Sequence, residues 1–206
     1  MPDYKLLYFD IRGRAECARL ILNYAKIPFE DVRIPKGEWE NIKGDKTRFP
    51  YGQVPVLLVD NVPIAQSMAL VRYLAAEAGL AGKNNLEAAQ IGQIEETCRI
   101  FSDSLGLYRK ALFMNTPNQE TLFTNLFTPT CEKQLPVIEG HITSNGFFHE
   151  SGVSYVDFYF ADLFKTFYNV HQNVMSKYPK LVEHMKKVFE LPELQAYLKQ
   201  RSDSKF

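Results

Sequence analysis

Tyr8, the pair Val54-Pro55 and the pair Gln66-Ser67 are the residues whose types and spacing could do chemistry. Tyr8 lies near the carboxyl end of a first predicted strand and just before a helix, where open α/β folds place their ligands. A phenol there can donate a hydrogen bond; a strand tyrosine packed in the core is the plainer alternative among eleven tyrosines. Pro55 interrupts the apolar run Val54-Pro55-Val56-Leu57-Leu58-Val59, the length of one buried strand. A proline inside a strand lacks a ladder donor, so it belongs at an edge, a bulge or a cis bend. It leaves the backbone of Val54 unpaired beside a helix that opens at Gln66-Ser67, with Ser67 able to cap the first free N–H groups. Such a pairing suits an extended peptide that carries a carboxylate.

Other chemistries find no support. Cys17, Cys98 and Cys131 are far apart, odd in number and in no C-x-x-C pair, so they read as reduced thiols in a reducing compartment. A thioredoxin-type redox site is excluded on the same ground. His141, His149, His171 and His184 show no metal-ligand spacing with one another or with cysteine.

These residues must be positioned by recognisable elements. Strands are predicted over Tyr4–Asp10 and Phe29–Ile34, with a helix over about Ala15–Ala25 between them, a βαβ unit. Trp39–Lys43 is a short helical piece. Asp60-Asn61 makes a tight turn into the return strand Val62-Pro63-Ile64. A helix then runs over Ser67–Ala78 with Ala69, Leu70, Tyr73 and Leu74 on one apolar face. The stretch GLAGKNN is the best linker, so the expected domains are 1–79 and 86–206, with the linker at about 80–85.

Beyond the linker the strand signal disappears. Ile94, Cys98, Phe101, Leu105, Tyr108 and Leu112 recur at spacings of four and three, one long helix with a packed seam. A further helical stretch, about Glu120–Thr143, is bent or split by Pro129 and Pro136. Ser154 and Asp157 form a capping-box pair ahead of a helix that is aromatic nearly all round. Short helices are predicted over Pro179–Phe189 and Glu193–Lys199, followed by a polar tail, Arg201–Phe206. The fold class is an α/β domain followed by an all-helical one.

Composition narrows the function classes. Lys plus Arg equals Asp plus Glu at 24 each, so no basic field recruits nucleic acid or anionic membrane. No apolar run approaches the ~20 residues of a membrane span. The start, MPDYKLLYFD, has strand alternation instead of a basic-then-apolar signal. A cytoplasmic protein is expected.

The motif Tyr8-x-x-x-Arg12-Gly13-Arg14, the proline beside Val54 and the Gln66-Ser67 helix start together resemble the cytosolic glutathione transferases. Chain-wide order and spacing resemble the sigma-like branch, which includes many nematode enzymes and the haematopoietic prostaglandin D synthases. The resemblance implies a thioredoxin-like domain, a helical-bundle domain, a homodimer, glutathione as substrate and no cofactor. It also implies that Tyr8 donates to the glutathione sulfur and stabilises the thiolate, with Arg14 in support. Lys43, Gln53 and Trp39 match the residues that hold the glycyl end, although Trp39 equally fits plain surface cover. Between Lys43 and Pro50 the segment GDKTRF is a few residues longer than the class pattern. Val54, beside Pro55, would pair its backbone with the cysteinyl unit, and Gln66 and Ser67 would grip the γ-glutamyl carboxylate.

For a second, apolar substrate the candidates are Leu105, Tyr108, Leu112 and Phe206, with core packing the competing reading for the helical ones. Tyr51 matches an aromatic that several classes insert into the neighbouring subunit. In sigma-like enzymes an acid on the first long helix reaches across the dimer to the γ-glutamyl amine. Here that position is Ile100, next to Arg99, so Asp103, or else Glu96, is expected to serve. The expected activity is conjugation of glutathione to apolar electrophiles. Alternatives are a glutathione-dependent prostaglandin H2 D-isomerase, a hydrophobic-ligand or haem carrier, and a crystallin-like structural protein.

Overall fold

The β-rich part of the chain forms one four-stranded sheet in the order β2-β1-β3-β4. Strand β1 (Tyr4–Phe9) runs parallel to β2 (Glu30–Ile34) and antiparallel to β3 (Val56–Val59), which pairs with the edge strand β4 (Val62–Ala65). A parallel neighbour requires a crossover, and helix α1 (Glu16–Tyr24) supplies it. The β3–β4 turn is the expected one: Asp60 and Asn61 both take positive φ, at 49° and 67°, the primed turn that matches strand twist. The computed structural model describes residues 2–35 and 37–201. These fall into two units, one made of the chain up to Ala81 with the stretch from Leu191 onward, the other Gly82–Glu190.

In the first unit Leu7, Ile34, Phe49, Val56 and Leu58 share a buried cluster, and Phe9, Val54 and Trp39 of helix α2 (Trp39–Ile42) pack against it. The period of two along β1 sends Tyr8 to the opposite face, where Arg19 of α1 stands over its ring. Helix α3 (Ser67–Glu77) packs beside α1 and buries Leu70, Val71, Leu74 and Ala75. That stripe is rotated from the expected one, since Ala69 is exposed.

In the second unit helix α4 (Asn85–Ser104) is capped by Asn84, whose side chain accepts from the N–H groups of Leu86 and Glu87 at 3.0 Å each. The single long helix expected here is in fact two. Leu105 leaves helical geometry at φ −94°, ψ 10°, and α5 (Gly106–Met114) starts afresh. Gly106 is the weak point, because glycine gains least from a helix. The seam hid the break because Leu105 and Tyr108 are buried on both sides of it.

Helix α6 (Gln119–Leu122), a π-helical turn (Phe123–Phe127) and α7 (Thr128–Glu139) follow. Pro129 sits in the first turn of α7, where its missing N–H costs nothing, and Pro136 lies inside the helix. The buried centre is α8 (Tyr155–Val170), and α9 (Gln172–Met175), which sequence did not suggest, leads into α10 (Pro179–Phe189). Among the described residues no helix is long and apolar enough to cross a membrane.

Helix α11 (Gln195–Gln200) follows the helical elements in the chain and makes its contacts with the first unit. The cause is Glu16, which is 1% exposed. Its Oε1 accepts from the Tyr197 hydroxyl at 2.9 Å and from Arg201 Nη1 at 2.8 Å. A buried carboxylate requires partners, and the end of the chain provides them.

Candidate active site

The strand register gathers the candidate residues at one end of the sheet. Leu7 lies opposite Val56, and Val56 opposite Ala65. Tyr8 at the end of β1, Val54-Pro55 ahead of β3 and Gln66-Ser67 after β4 therefore share an edge.

Tyr8 is buried, 6% exposed. After β1 the chain turns through Ile11 and Arg12 into a single 3-10 turn, Gly13–Ala15. Within that turn the Arg14 N–H donates to the Tyr8 hydroxyl at 3.2 Å. Gly13 is at φ +46°, and a β-carbon there would stand 2.7 Å from the hydroxyl oxygen. Glycine is thus required twice, for the left-handed backbone and for the close approach. Because the hydroxyl oxygen accepts from the backbone, its proton is free to point outward. Arg14 is exposed.

The Val54-Pro55 peptide is cis, one of the forms the proline was expected to take. Val54 precedes the first paired residue of β3 and lies half-buried against the sheet cluster. At the start of α3 the sequence reading needs correction. Gln66, not Ser67, holds the N-cap position, at φ +71° and with no side-chain capping bond. Its carbonyl accepts from Ala69 N and Leu70 N at 3.0 and 3.1 Å. Ser67 begins the helix, whose leading N–H groups carry the positive end of the dipole.

Trp39 is half-buried and meets Phe9 and Phe49 edge-on, with ring centres 5.8 and 5.1 Å apart, a packing role. Lys43 is exposed and pairs with Glu40 one helical turn back. Gln53 is exposed, one residue before Val54. The long segment between them is folded around Asp45, which accepts from Thr47 N at 3.0 Å and Arg48 Nε at 2.7 Å. Hydrogen bonds from Thr47 and then Arg48 hold its carboxyl down at about 2. This turn brings Lys46 to the neighbourhood of Gly52: a β-carbon built on Gly52 would lie 3.4 Å from Lys46 Nζ. Sequence reasoning missed Lys46, and the extra length of the segment was the only signal. Tyr51 is 65% exposed.

In the helical unit Leu105, Tyr108 and Leu112 are buried. Tyr108 packs on Phe123, Phe127 and His171, and its hydroxyl bonds His171 Nε2. Burial, then Cys131, pushes its hydroxyl up to about 12. These are core positions, the competing reading that their spacing had left open. The apolar residues that α5 exposes are Leu107, Phe113 and Met114. Phe206 lies outside the described residues. Arg99 on α4 sits between the two acids, donating from Nε to Glu96 at 2.9 Å and from Nη1 to Asp103 at 2.6 Å, with Ile100 half exposed next to it. All three cysteines are buried; burial pushes the Cys131 thiol up to about 12 and Cys98 well above its usual range, so neither is a nucleophile.

The comparisons agree across the chain. The family model of the glutathione S-transferase N-terminal domain matches residues 4–76, and that of the C-terminal domain matches residues 103–201. A probable glutathione S-transferase of Caenorhabditis elegans is 32% identical, with both chains fully covered. The haematopoietic prostaglandin D synthase of Rattus norvegicus is 34% identical, again over the whole of both chains. The crystal structure of the glutathione S-transferase of Ascaris lumbricoides superposes with a TM-score of 0.92 at 32% identity over the full length of both. This pairing of nematode transferases with prostaglandin D synthases is the sigma-like grouping to which the motifs pointed. Because such relatives run the full length of the sequence and its two halves match the two domain models in order, the chain belongs to the glutathione S-transferase family.

Proposed function

We propose that this enzyme, a glutathione transferase, ionises the thiol of glutathione against the Tyr8 hydroxyl and conjugates it to apolar electrophiles. The observation that carries the reading is the Arg14 N–H donated to Tyr8 Oη, which leaves the phenol proton for the sulfur. A free thiol is mostly protonated at neutral pH, with a pKa near ~8.5. A hydrogen bond to the thiolate favours the charged form. Val54 receives the cysteinyl backbone beside the cis-proline, and Gln66 and Ser67 take the γ-glutamyl carboxylate at the start of α3. The glycyl carboxylate falls to Gln53 with Lys43, and Lys46 is a second cation at the same turn. Trp39 supports that end by packing, and Leu105, Tyr108 and Leu112 are assigned to the core rather than to the electrophile. Glutathione is a substrate, no cofactor is assigned, and three widely spaced cysteines outside any C-x-x-C pair favour a cytosolic setting.

Retention on immobilised glutathione, followed by conjugation of a generic aryl halide, tests the reading. Failure of both would leave the carrier or crystallin-like alternatives. A second reading, isomerisation of prostaglandin H2 through the same thiolate, is favoured by the prostaglandin D synthase relative. Product analysis with that substrate separates the two.

Gly13→Ala probes the geometry directly. The new methyl is too close to Tyr8 Oη to be tolerated in place, and the left-handed backbone adds roughly 1–2 kcal/mol of strain. We expect turnover to fall with the displaced hydroxyl while glutathione retention persists. Full activity in this variant would refute the close packing of loop and phenol.

The dimer also remains a proposal, with Tyr51 as its exposed aromatic anchor and an acid on α4 reaching the partner's glutathione. Since Arg99 engages both Glu96 and Asp103, neither acid is idle, but exposed pairs of this kind are weakened by solvent and can be given up. Ile100→Asp should tighten glutathione binding several-fold, short of the ~1.5–3 kcal/mol of a fully formed charge-assisted bond. Asp103→Asn should weaken it only if Asp103 already serves. Calorimetry on both variants, with sedimentation to confirm a dimer, checks this; unchanged binding in the Ile100→Asp dimer would sink the contact.

A further inference from the structure

Arg19 is a fully buried cation on the face of α1 that covers Tyr8. Its Nε donates to the two oxygens of Asp31 at 3.2 and 3.0 Å. Its Nη1 donates to the carbonyls of Ile11 at 2.8 Å and Arg12 at 3.2 Å, and to Glu16 Oε2 at 3.4 Å. Its Nη2 is buried with no hydrogen-bond partner among the described residues. What the guanidinium does face is the ring of Tyr8, with its central carbon 5.8 Å from the ring centre. Buried ion pairs are often no better for stability than apolar packing of the same volume, so this cluster calls for a reason beyond holding the fold.

Its charges are arranged to leave Arg19 positive. Asp31 of β2 is shared with Arg33, which donates at 2.7 Å and also reaches Asp10 at 3.3 Å. Glu16 of α1 is shared with Arg201, and with the hydroxyl of Tyr197, from the end of the chain. Each carboxylate near Arg19, the buried Glu16 and the half-buried Asp31, thus has a second arginine of its own. Arg12 is buried in the same loop, and the side chain of Arg14 is exposed.

We propose that Arg19 is a positioning residue for thiolate formation: its charge on the ring face strengthens the Tyr8 hydroxyl as a donor, and its bonds to Ile11 and Arg12 hold the loop that presents Gly13 and the Arg14 N–H. A cation over an aromatic face is attracted by the ring and stabilises developing negative charge on the phenol oxygen. The proposal rests on the reading of Tyr8 as the group that meets the sulfur.

The test is a pH titration of the ultraviolet absorbance of thiolate in the glutathione complex, run beside thermal unfolding. It compares wild type, Tyr8→Phe, Arg19→Gln, Asp31→Asn and Glu16→Gln. Arg19→Gln should raise the pKa of the bound thiol by about one unit. Asp31→Asn and Glu16→Gln, which remove opposing charge, should lower it, even though all three variants unfold at lower temperature. A purely structural role would move the pKa with stability, in the same direction in all three, and that result overturns the proposal. Should Arg19→Gln fail to fold, the two carboxylate variants decide: an unchanged or raised pKa in both is against it. If Tyr8→Phe raises the pKa and Arg19→Gln does not, the inference falls and the Tyr8 reading stands. If Tyr8→Phe leaves the pKa unmoved, both fall.

Discussion

Tyr8→Phe is expected to bind glutathione as wild type does and to lose about tenfold to a hundredfold in turnover at neutral pH. The affinity should hold because the tripeptide's backbone and carboxylates meet Val54, Gln66 and the first turn of α3, whereas the phenol meets the sulfur. The turnover should fall because a hydrogen bond to a charged group is worth ~1.5–3 kcal/mol, which at the transition state is that range of rate. The deficit should also shrink as pH rises through the ~8.5 of a free thiol, where the sulfur ionises without help. The orphaned Arg14 N–H lies in a loop with an exposed neighbour and can turn to solvent, so stability should change little. Steady-state kinetics across pH, with calorimetric binding, check this. A loss of binding and turnover together, or a deficit that is constant with pH, would show that Tyr8 has another role.

Much of this site was legible in the sequence because its requirements are local. Pro55 announces a backbone that cannot be an ordinary strand interior, Asp60-Asn61 spells the turn, and Gly13 between two arginines marks the loop. What escaped has long-range causes. Arg19 sits among apolar residues of α1, and nothing nearby in sequence names Asp31 as its partner or Tyr8 as its neighbour. The allegiance of α11 to the first unit depends on Glu16, 185 positions from Arg201. The division of α4 from α5 escaped for the opposite reason: the seam is continuous, and periodicity reports which side is buried rather than whether the backbone is unbroken. Tyr108 shows the same limit, since an aromatic at seam spacing reads alike whether it lines a pocket or packs on His171.

The helical unit offers the largest expected loss of stability, at a residue with no part in the chemistry. Asp157 in the first turn of α8 is fully buried and accepts four hydrogen bonds. Its Oδ2 takes the Ser154 N–H at 2.7 Å and the Ser154 hydroxyl at 2.8 Å. Its Oδ1 takes the Phe148 N–H at 2.9 Å and bonds His184 Nε2 at 2.9 Å. One carboxylate therefore caps the central helix, fixes the loop before it and reaches α10. Asp157→Ala strands these groups in a dry interior where each unmet donor costs ~1–3 kcal/mol. Against a total stability of ~5–15 kcal/mol this is a large fraction. The unfolding midpoint should drop by on the order of ten degrees for a chain of this size. Ser154→Ala, which leaves the backbone donor and the His184 bond in place, should cost only ~1 kcal/mol. Once folded in the cold, Asp157→Ala should bind glutathione and turn over as wild type, because Tyr8 and its loop belong to the other unit. A variant of normal stability but lost turnover would reverse this assignment and make Asp157 part of the chemistry.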